Sequence, residues 1–299
     1  MRGPGLPVPV FYDPRQSAAR NESLSPSAQK PARVVEDWKA AGFPLEFRGF
    51  TPLAPEEIAR AHDPDYVRGV LAREISNGFG NTFPEVADAL PWTTGSMYAA
   101  AAWAAERGGF AASPTSGFHH AGWDRGLGFC TFNGLAVAAV LLRERGLARR
   151  VGILDLDMHF GNGTVEILDR LGLSEEVPHY TFGGDPKTAD REGFDGELWL
   201  ARLPGIVGEF KDCDVLLYQA GADPHVDDPL GGLLTTDQLR ERDRIVFRTC
   251  AELGLPAAWN LAGGYQKPFE GVLEIHRNTM AECVAALEVQ SRAAASELD

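Results

Sequence analysis

Residues 152–163, GILDLDMHFGNG, convert an apolar run into metal-ligand chemistry within five positions. Asp155, Asp157 and His159 alternate with Leu156 and Met158, so an extended backbone would point all three polar side chains the same way. Carboxylate oxygens and an imidazole suit a divalent ion, and a mixed set with one open position suits catalytic zinc. Asp157 and His159 then need a third protein ligand, for which Asp228 in GADPHVDDPLGG is the candidate, one of three acids (with Asp223 and Asp227) in that stretch. Taken alone, an Asp-x-Asp-x-His run is equally well explained by a capping aspartate and a packed histidine. It needs corroboration from elsewhere in the chain.

Corroboration comes from SGFHHAGWDRGLGFCTFNG, where His119 and His120 open a glycine-rich loop followed by aromatic residues. Tandem histidines can divide labour, one taking a proton from water while the other holds charge or donates to a leaving group. Each imidazole needs a partner on its far nitrogen, and Asp155 and Asn162 lie at suitable chain positions. Tyr265 in LAGGYQ follows two glycines that let backbone approach a ligand, and a phenol there would stabilise an oxyanion.

The elements that must carry these residues can be read from their patterning. PVPVFYD reads as a first strand, SPSAQKPARVVEDWKAAG as a helix ending at glycine, and residues 51–78 as two short helices broken at His62-Asp63-Pro64. An alanine-rich helix is expected over about Gly95 to Glu106. Four apolar stretches, FAASPTSGF, RVGILDL, DVLLYQAG and PAAWNLAGG, read as parallel strands separated by helical patterns such as NGLAVAAVLLRERG and GTVEILDRLG. Alternation of this kind predicts a doubly wound α/β sheet. Every chemistry-bearing residue follows the carboxyl end of one of those strands, where ligands bind in open α/β sheets. The polar tail 290–299 reads as a fraying helix end.

Composition narrows the function. The 299 residues are 44% hydrophobic and 23% charged, ordinary values for a globular chain, and the length suits one large α/β domain as well as two smaller ones. A net charge of −14 argues against nucleic acid or anionic membrane as partners and favours cationic substrates. The four cysteines are widely spaced without a Cys-x-x-Cys pair, which suggests reduced, buried thiols. The proline-containing start does not resemble a signal peptide and no apolar run is long enough to span a bilayer, so a cytoplasmic protein is expected.

In their order, SGFHHAGWD with GFCTFNG, DLDMHFGNGT, GADPHVDDPLGG and AGGY resemble the motif segments of the histone deacetylase superfamily, which includes histone-deacetylase-like amidohydrolases and acetylpolyamine amidohydrolases. HDPDYVRGVL is similar to a further recurrent segment, and the likeness runs from about Phe11 to Tyr265. The resemblance implies an arginase-deacetylase-like three-layer α/β/α fold around a mainly parallel eight-stranded sheet. It implies zinc held by Asp157, His159 and Asp228, a His119–His120 acid–base pair, and Tyr265 polarising the amide carbonyl. Asp155 would support His119 and Asn162 would face His120, while Gly128 and Phe129 would line the channel for an acylated lysine or amine stem. Relatives often bind potassium beside the zinc, using the position of Asp155. The implied substrates are acetylated lysine peptides, amines or polyamines, and a homo-oligomer is left open.

Two departures stand out. Phe160 occupies a place where many relatives have another histidine. The segment 180–204 does not reproduce the proline- and glycine-rich stretch that usually supplies the opposite channel wall. Two other readings compete: a two-metal ureohydrolase, disfavoured because His159 is followed by Phe160-Gly161-Asn162 with no acid two residues on, and a metal-binding protein without turnover.

Overall fold

The computed structural model describes residues 6–189 and 191–296. Its strands are β1 Val8–Val10, β2 Leu45–Phe47, β3 Phe110–Ser113, β4 Val151–Asp155, β5 His179–Thr181, β6 Val215–Gly221 and β7 Ala257–Ala262. The helices are α1 Lys30–Ala40, α2 Pro55–Ile58, α3 Pro64–Leu71, α4 Pro84–Arg107, α5 Gly134–Glu144, α6 Asn162–Leu171, α7 Pro186–Ala189, α8 Gly196–Gly208, α9 Thr236–Leu253 and α10 Glu270–Ser296. All strand pairs are parallel, in the order β2-β1-β3-β7-β6-β4-β5. The sheet therefore has seven strands among the described residues rather than eight.

The five strands read from apolar runs all form. The two that sequence patterning leaves out, β2 and β5, are three-residue edge strands with half-exposed or exposed side chains. An edge strand has only one neighbour to pack and pair with, so it lacks the continuous apolar run that marks a central strand. The alanine-rich helix starts at Pro84 rather than near Gly95 and runs through Pro91. Thr94 returns a hydroxyl bond to the Leu90 carbonyl there (2.8 Å). The fraying expected for 290–299 falls partly outside the described residues.

Helices cover both faces of the sheet. On one side Trp38 of α1 and Phe247 of α9 pack on Trp259 of β7, with ring centroids 5.4 and 6.0 Å apart. On the other, small residues of α4 and α5, among them Ala100, Ala104, Ala138 and Ala139, lie fully buried against β3, β4 and β6. Helix starts follow the sequence signals: Asp63, Asn133 and Asp195 cap α3, α5 and α8 through side-chain oxygens, and Thr235 with Gln238 forms a capping box on α9.

His62 ties the α2–α3 junction to the loop that carries the tandem histidines. Its Nδ1 donates to the Gly122 carbonyl at 2.8 Å, and Nε2 accepts from the Asn133 N–H at 2.8 Å. Burial pushes this imidazole down to about 4. The unfolded chain takes up that proton near pH 6.5, and the folded chain refuses it until about 4. Stability is thus fully present above pH 6.5 and declines as pH falls towards 4, by about 2 kcal/mol between pH 7 and 5. A melting-temperature series over that range reads the decline, and His62→Gln, which takes no proton, flattens part of it. A melting temperature independent of pH from 7 to 5 would contradict the assignment.

Candidate active site

Four strands that are neighbours in space, β3, β7, β6 and β4, end on the same edge of the sheet. Adjacent strands lie about 4.8 Å apart, so the loops leaving these ends converge within roughly 15 Å. They carry His119 and His120, Tyr265, Asp223 and Asp228, and Asp157 and His159 respectively.

The alternation that suggested one extended strand through His159 is realised differently. Strand β4 stops at Asp155, and the chain turns. The Asp157 N–H donates to Asp155 Oδ1 (3.1 Å), and the His159 N–H donates to Asp157 Oδ1 (2.9 Å). Aspartate oxygens bonding backbone two residues on are a local alternative to the ladder. Two in succession coil the segment so that each carboxylate holds the next ligand-type residue in place. Asp155 Oδ1 is also fixed by Gln219 Nε2 of β6 at 2.9 Å.

Asp157, His159 and Asp223 offer three ligand atoms that all lie within 4.8 Å of one another. His159 Nδ1 stands 3.1 Å from Asp157 Oδ1 and 2.8 Å from Asp223 Oδ2. Donor atoms of a tetrahedral zinc site sit roughly 3.3 Å apart for bonds of about 2.0–2.1 Å, so the spacing fits such an ion. The buried Asp223 Oδ2 has no hydrogen-bond donor besides that imidazole among the described residues, while Oδ1 accepts from the Met158 N–H at 3.1 Å. The third member of this close group is thus Asp223, where Asp228 was expected. Asp228 lies farther along the loop, beyond turns at His225 and Asp228 itself. Its carboxylate instead accepts from the Leu230 N–H (2.9 Å) and the Tyr265 N–H (2.7 Å). It holds the tyrosine loop.

The electrostatics of the group call for a cation. Burial, and then the charge of Asp157, push the Asp223 carboxyl up. Burial would do the same to Asp157, but the His119 and His159 imidazoles outweigh it and hold that carboxyl far below its usual range. Hydrogen bonding to Asp157 and Asp223 pushes His159 up to about 11. Two buried carboxylates around one imidazole nitrogen are stable only with positive charge between them, which a proton or a divalent ion can supply.

The tandem histidines sit beside this group with rings 4.0 Å apart. His119 Nδ1 donates to Asp155 Oδ2 at 2.8 Å, leaving Nε2 3.6 Å from Asp157 Oδ1. His120 Nδ1 donates to Asn162 Oδ1 at 2.6 Å, which leaves its Nε2 lone pair free. Burial works to lower His119, but the Asp155 and Asp157 charges prevail and raise it to about 9. Burial and the neighbouring His119 charge press His120 down to about 4. One imidazole favours the charged form and its neighbour the neutral form, the separation that acid–base pairs use.

Gly128 and Phe129 form the wall beside His120, both with left-handed backbone (φ 54° and 66°). A Cβ on residue 128 would lie 2.5 Å from His120 Cδ2, so only glycine leaves that ring its place. Phe129, a phenylalanine in a region that disfavours it, is held by its N–H bond to the Gly78 carbonyl (3.0 Å). Its ring lies 5.7 Å from Tyr265 and 5.9 Å from Phe79. Tyr265 is itself raised by burial and by the charges of Asp223 and Asp157. On the other side, Phe160 is 45% exposed with its ring against Gly184. Phe182, one of four aromatics in the departing segment 180–204, turns into the core against Trp199 (4.8 Å).

Sequence reasoning left three residues of this site without a role. Gln219 carried a signal, an amide in an otherwise apolar strand, since such a group needs a buried partner. Asp223 carried one too, standing next to the strand end. Lys30 carried none: its Nζ is buried, pushed down to about 8 by that burial, and donates to the Gly263 carbonyl and to Ser116 Oγ (3.2 Å).

Comparison with known proteins gives the chain's family and fold. The acetylpolyamine amidohydrolase 1 of Pseudomonas aeruginosa is 33% identical over 175 residues, and the matched part spans about half of each protein (49% of this chain, 48% of the relative). An uncharacterized protein of Picosynechococcus sp. is 31% identical over 255 residues, 76% of this chain and 82% of that protein. The solved HDA15 HD domain superposes with a TM-score of 0.75 at 20% identity, over 94% of this chain and 90% of that one. Acetylpolyamine aminohydrolase from Burkholderia pseudomallei superposes at 0.68 and 22% identity, over 92% and 98%. Those two structures establish the shared fold, a parallel sheet between helical layers. With the histone deacetylase domain model matching residues 25–177, the chain belongs to the histone deacetylase family.

Proposed function

We propose that this chain is a zinc-dependent amidohydrolase, built as a single catalytic domain, that removes an acetyl or other acyl group from an amine. The observation that carries this reading is the convergence of Asp157, His159 and Asp223 beside two imidazoles, one anchored on Asp155 and the other on Asn162. Membership in a deacetylase family supports amide hydrolysis on this fold. A divalent ion held by the three side chains would polarise the amide carbonyl and make a bound water more acidic.

His120 acts as base because it is neutral at neutral pH and its Nε2 is unengaged. Nε2 takes a proton from the attacking water as the water oxygen bonds to the acyl carbon. The same proton then passes to the nitrogen of the departing amine when the C–N bond breaks, giving a carboxylic acid and an amine, and the acid's remaining proton moves to the amine so that a carboxylate and an ammonium leave. His119, anchored on Asp155, supplies positive charge next to the developing oxyanion, though an ion beside Asp157 would lower its proton affinity. Burial keeps the Tyr265 phenol protonated, so it can donate to that oxyanion. The Phe129 ring and Gly128 backbone flank the acylated stem. The acidic surface suits a cationic substrate, with acetylpolyamines and acetyl-lysine peptides the first to try.

Chelation should abolish deacylation on a panel of acetylpolyamines, acetyl-lysine peptides and longer acyl amines, and zinc should restore it. Two metal ions per chain in the active protein would favour the ureohydrolase alternative. With Asp223 as third ligand, Asp223→Asn should lose both zinc and turnover, whereas Asp228→Asn should keep its zinc and lose only part of kcat. The reverse ranking would refute that assignment and return the place to Asp228, as the motif resemblance implies. His120→Ala should lower kcat by about 10²–10⁴-fold, and Tyr265→Phe by about 10²–10³-fold. Metal content should be unchanged in both variants, as measured by elemental analysis alongside steady-state rates.

A further inference from the structure

Beneath the ligand group, α9 buries a charged pair, Arg242 and Asp243, with no exposure at either residue. Arg242 Nε donates to Asp243 Oδ1 at 2.8 Å, and Nη2 lies 2.8 Å from the same oxygen. The carboxylate is held in turn by the Tyr218 hydroxyl and by Thr279 Oγ1 at 2.5 Å. The remaining nitrogen, Nη1, donates to two backbone carbonyls, Gly221 at 2.6 Å and Leu156 at 3.3 Å.

The positions of those carbonyls are informative. Leu156 immediately precedes Asp157, and Gly221 stands two residues before Asp223. The β4–β6 register ends at the Asp155–Gln219 pair, so the strand ends that deliver the two carboxylates lie past their own ladder. They are nevertheless pressed together: a Cβ on residue 221 would lie 2.5 Å from Asp157 Cα, which only glycine avoids. Burying an ion pair opposes folding through desolvation, and an apolar side chain of similar volume would fill the space equally well. What an apolar residue lacks is the planar fork of donors, pre-organised to reach fixed acceptors.

We propose that Arg242 is a positioning residue that clamps the Leu156 and Gly221 carbonyls, fixes Asp157 against the end of β6, and so sets the affinity of the site for a divalent cation. The inference rests on the reading that Asp157 is one of the side chains that hold the ion. Arg242 itself touches neither the ion nor the substrate.

The test measures zinc affinity of the purified full chain by competition with a chromogenic chelator, alongside the melting temperature of the metal-free protein. The chains compared are wild type, Arg242→Met, Arg242→Lys and, as a control on the same helix, Arg248→Met, whose partner Glu252 is exposed. Outer partners that orient metal ligands are worth about 10–100-fold in metal affinity, and Arg242→Met should weaken zinc binding by that much. Arg242→Lys keeps the charge without the fork and should weaken it less, while Arg248→Met should bind as wild type does. A purely structural role would lower the metal-free melting temperature of Arg242→Met and leave zinc affinity unmoved, overturning the proposal. If Arg242→Met does not fold, Arg242→Lys decides in the same way: wild-type affinity overturns it and weakened affinity supports it. Wild-type protein that binds no zinc would instead sink the metal reading, and the clamp with it.

Discussion

Two buried carboxylates, Asp157 and Asp223, face one imidazole nitrogen of His159 at 3.1 and 2.8 Å, and they repel each other unless a cation sits between them. A folded chain does not bring such groups together through hydrophobic burial alone, because removing charge from water opposes it. The rest of the site can be understood as the means by which that convergence is enforced. Strand β4 ends in two consecutive aspartate turns, β6 ends in a glycine that admits the neighbouring backbone, and both ends are tied from below by a single guanidinium. Asp228 performs a related task one loop away, gripping the Tyr265 backbone.

The same enforced charge separates the tandem histidines. Asp155 and Asp157 favour the charged form of His119, and burial together with the His119 charge disfavours a proton on His120. Neighbouring residues of one type therefore acquire opposite chemistry from their surroundings, with Asp155 and Asn162 selecting the tautomers. The aromatic row from Tyr265 through Phe129 to Phe79 continues this ordering outward. There the strained backbone of Phe129 is tolerated because Gly78 and the flanking rings hold it from both sides.

Much of this arrangement is legible in the chain itself. Central strands announce themselves as apolar runs because both of their faces are covered, and the polar residues just past them stand out by contrast. His119, His120, Asp155, Asp157, His159, Asn162 and Tyr265 all stand out in this way. Edge strands β2 and β5 do not, since short half-exposed segments carry no such contrast. That Asp223 rather than Asp228 stands closest to His159 was hidden for a different reason. Both are acids in one loop, and which of them turns towards the imidazole depends on where β6 stops and how the succeeding turns fold back.

Residue types and their order by themselves determined the α/β class, the edge of the sheet where chemistry gathers, and the identity of most groups that gather there. That information is local, carried by periodicity within a strand and by the few residues just past its end. Only the tertiary structure decided which acid stands beside His159, that Phe160 stays exposed while Phe182 enters the core, and that Lys30 and Arg242 brace the site from beneath. Those outcomes depend on distances between segments far apart in the chain. Such distances are set by packing a whole sheet between two helical layers, and no short stretch of sequence encodes them.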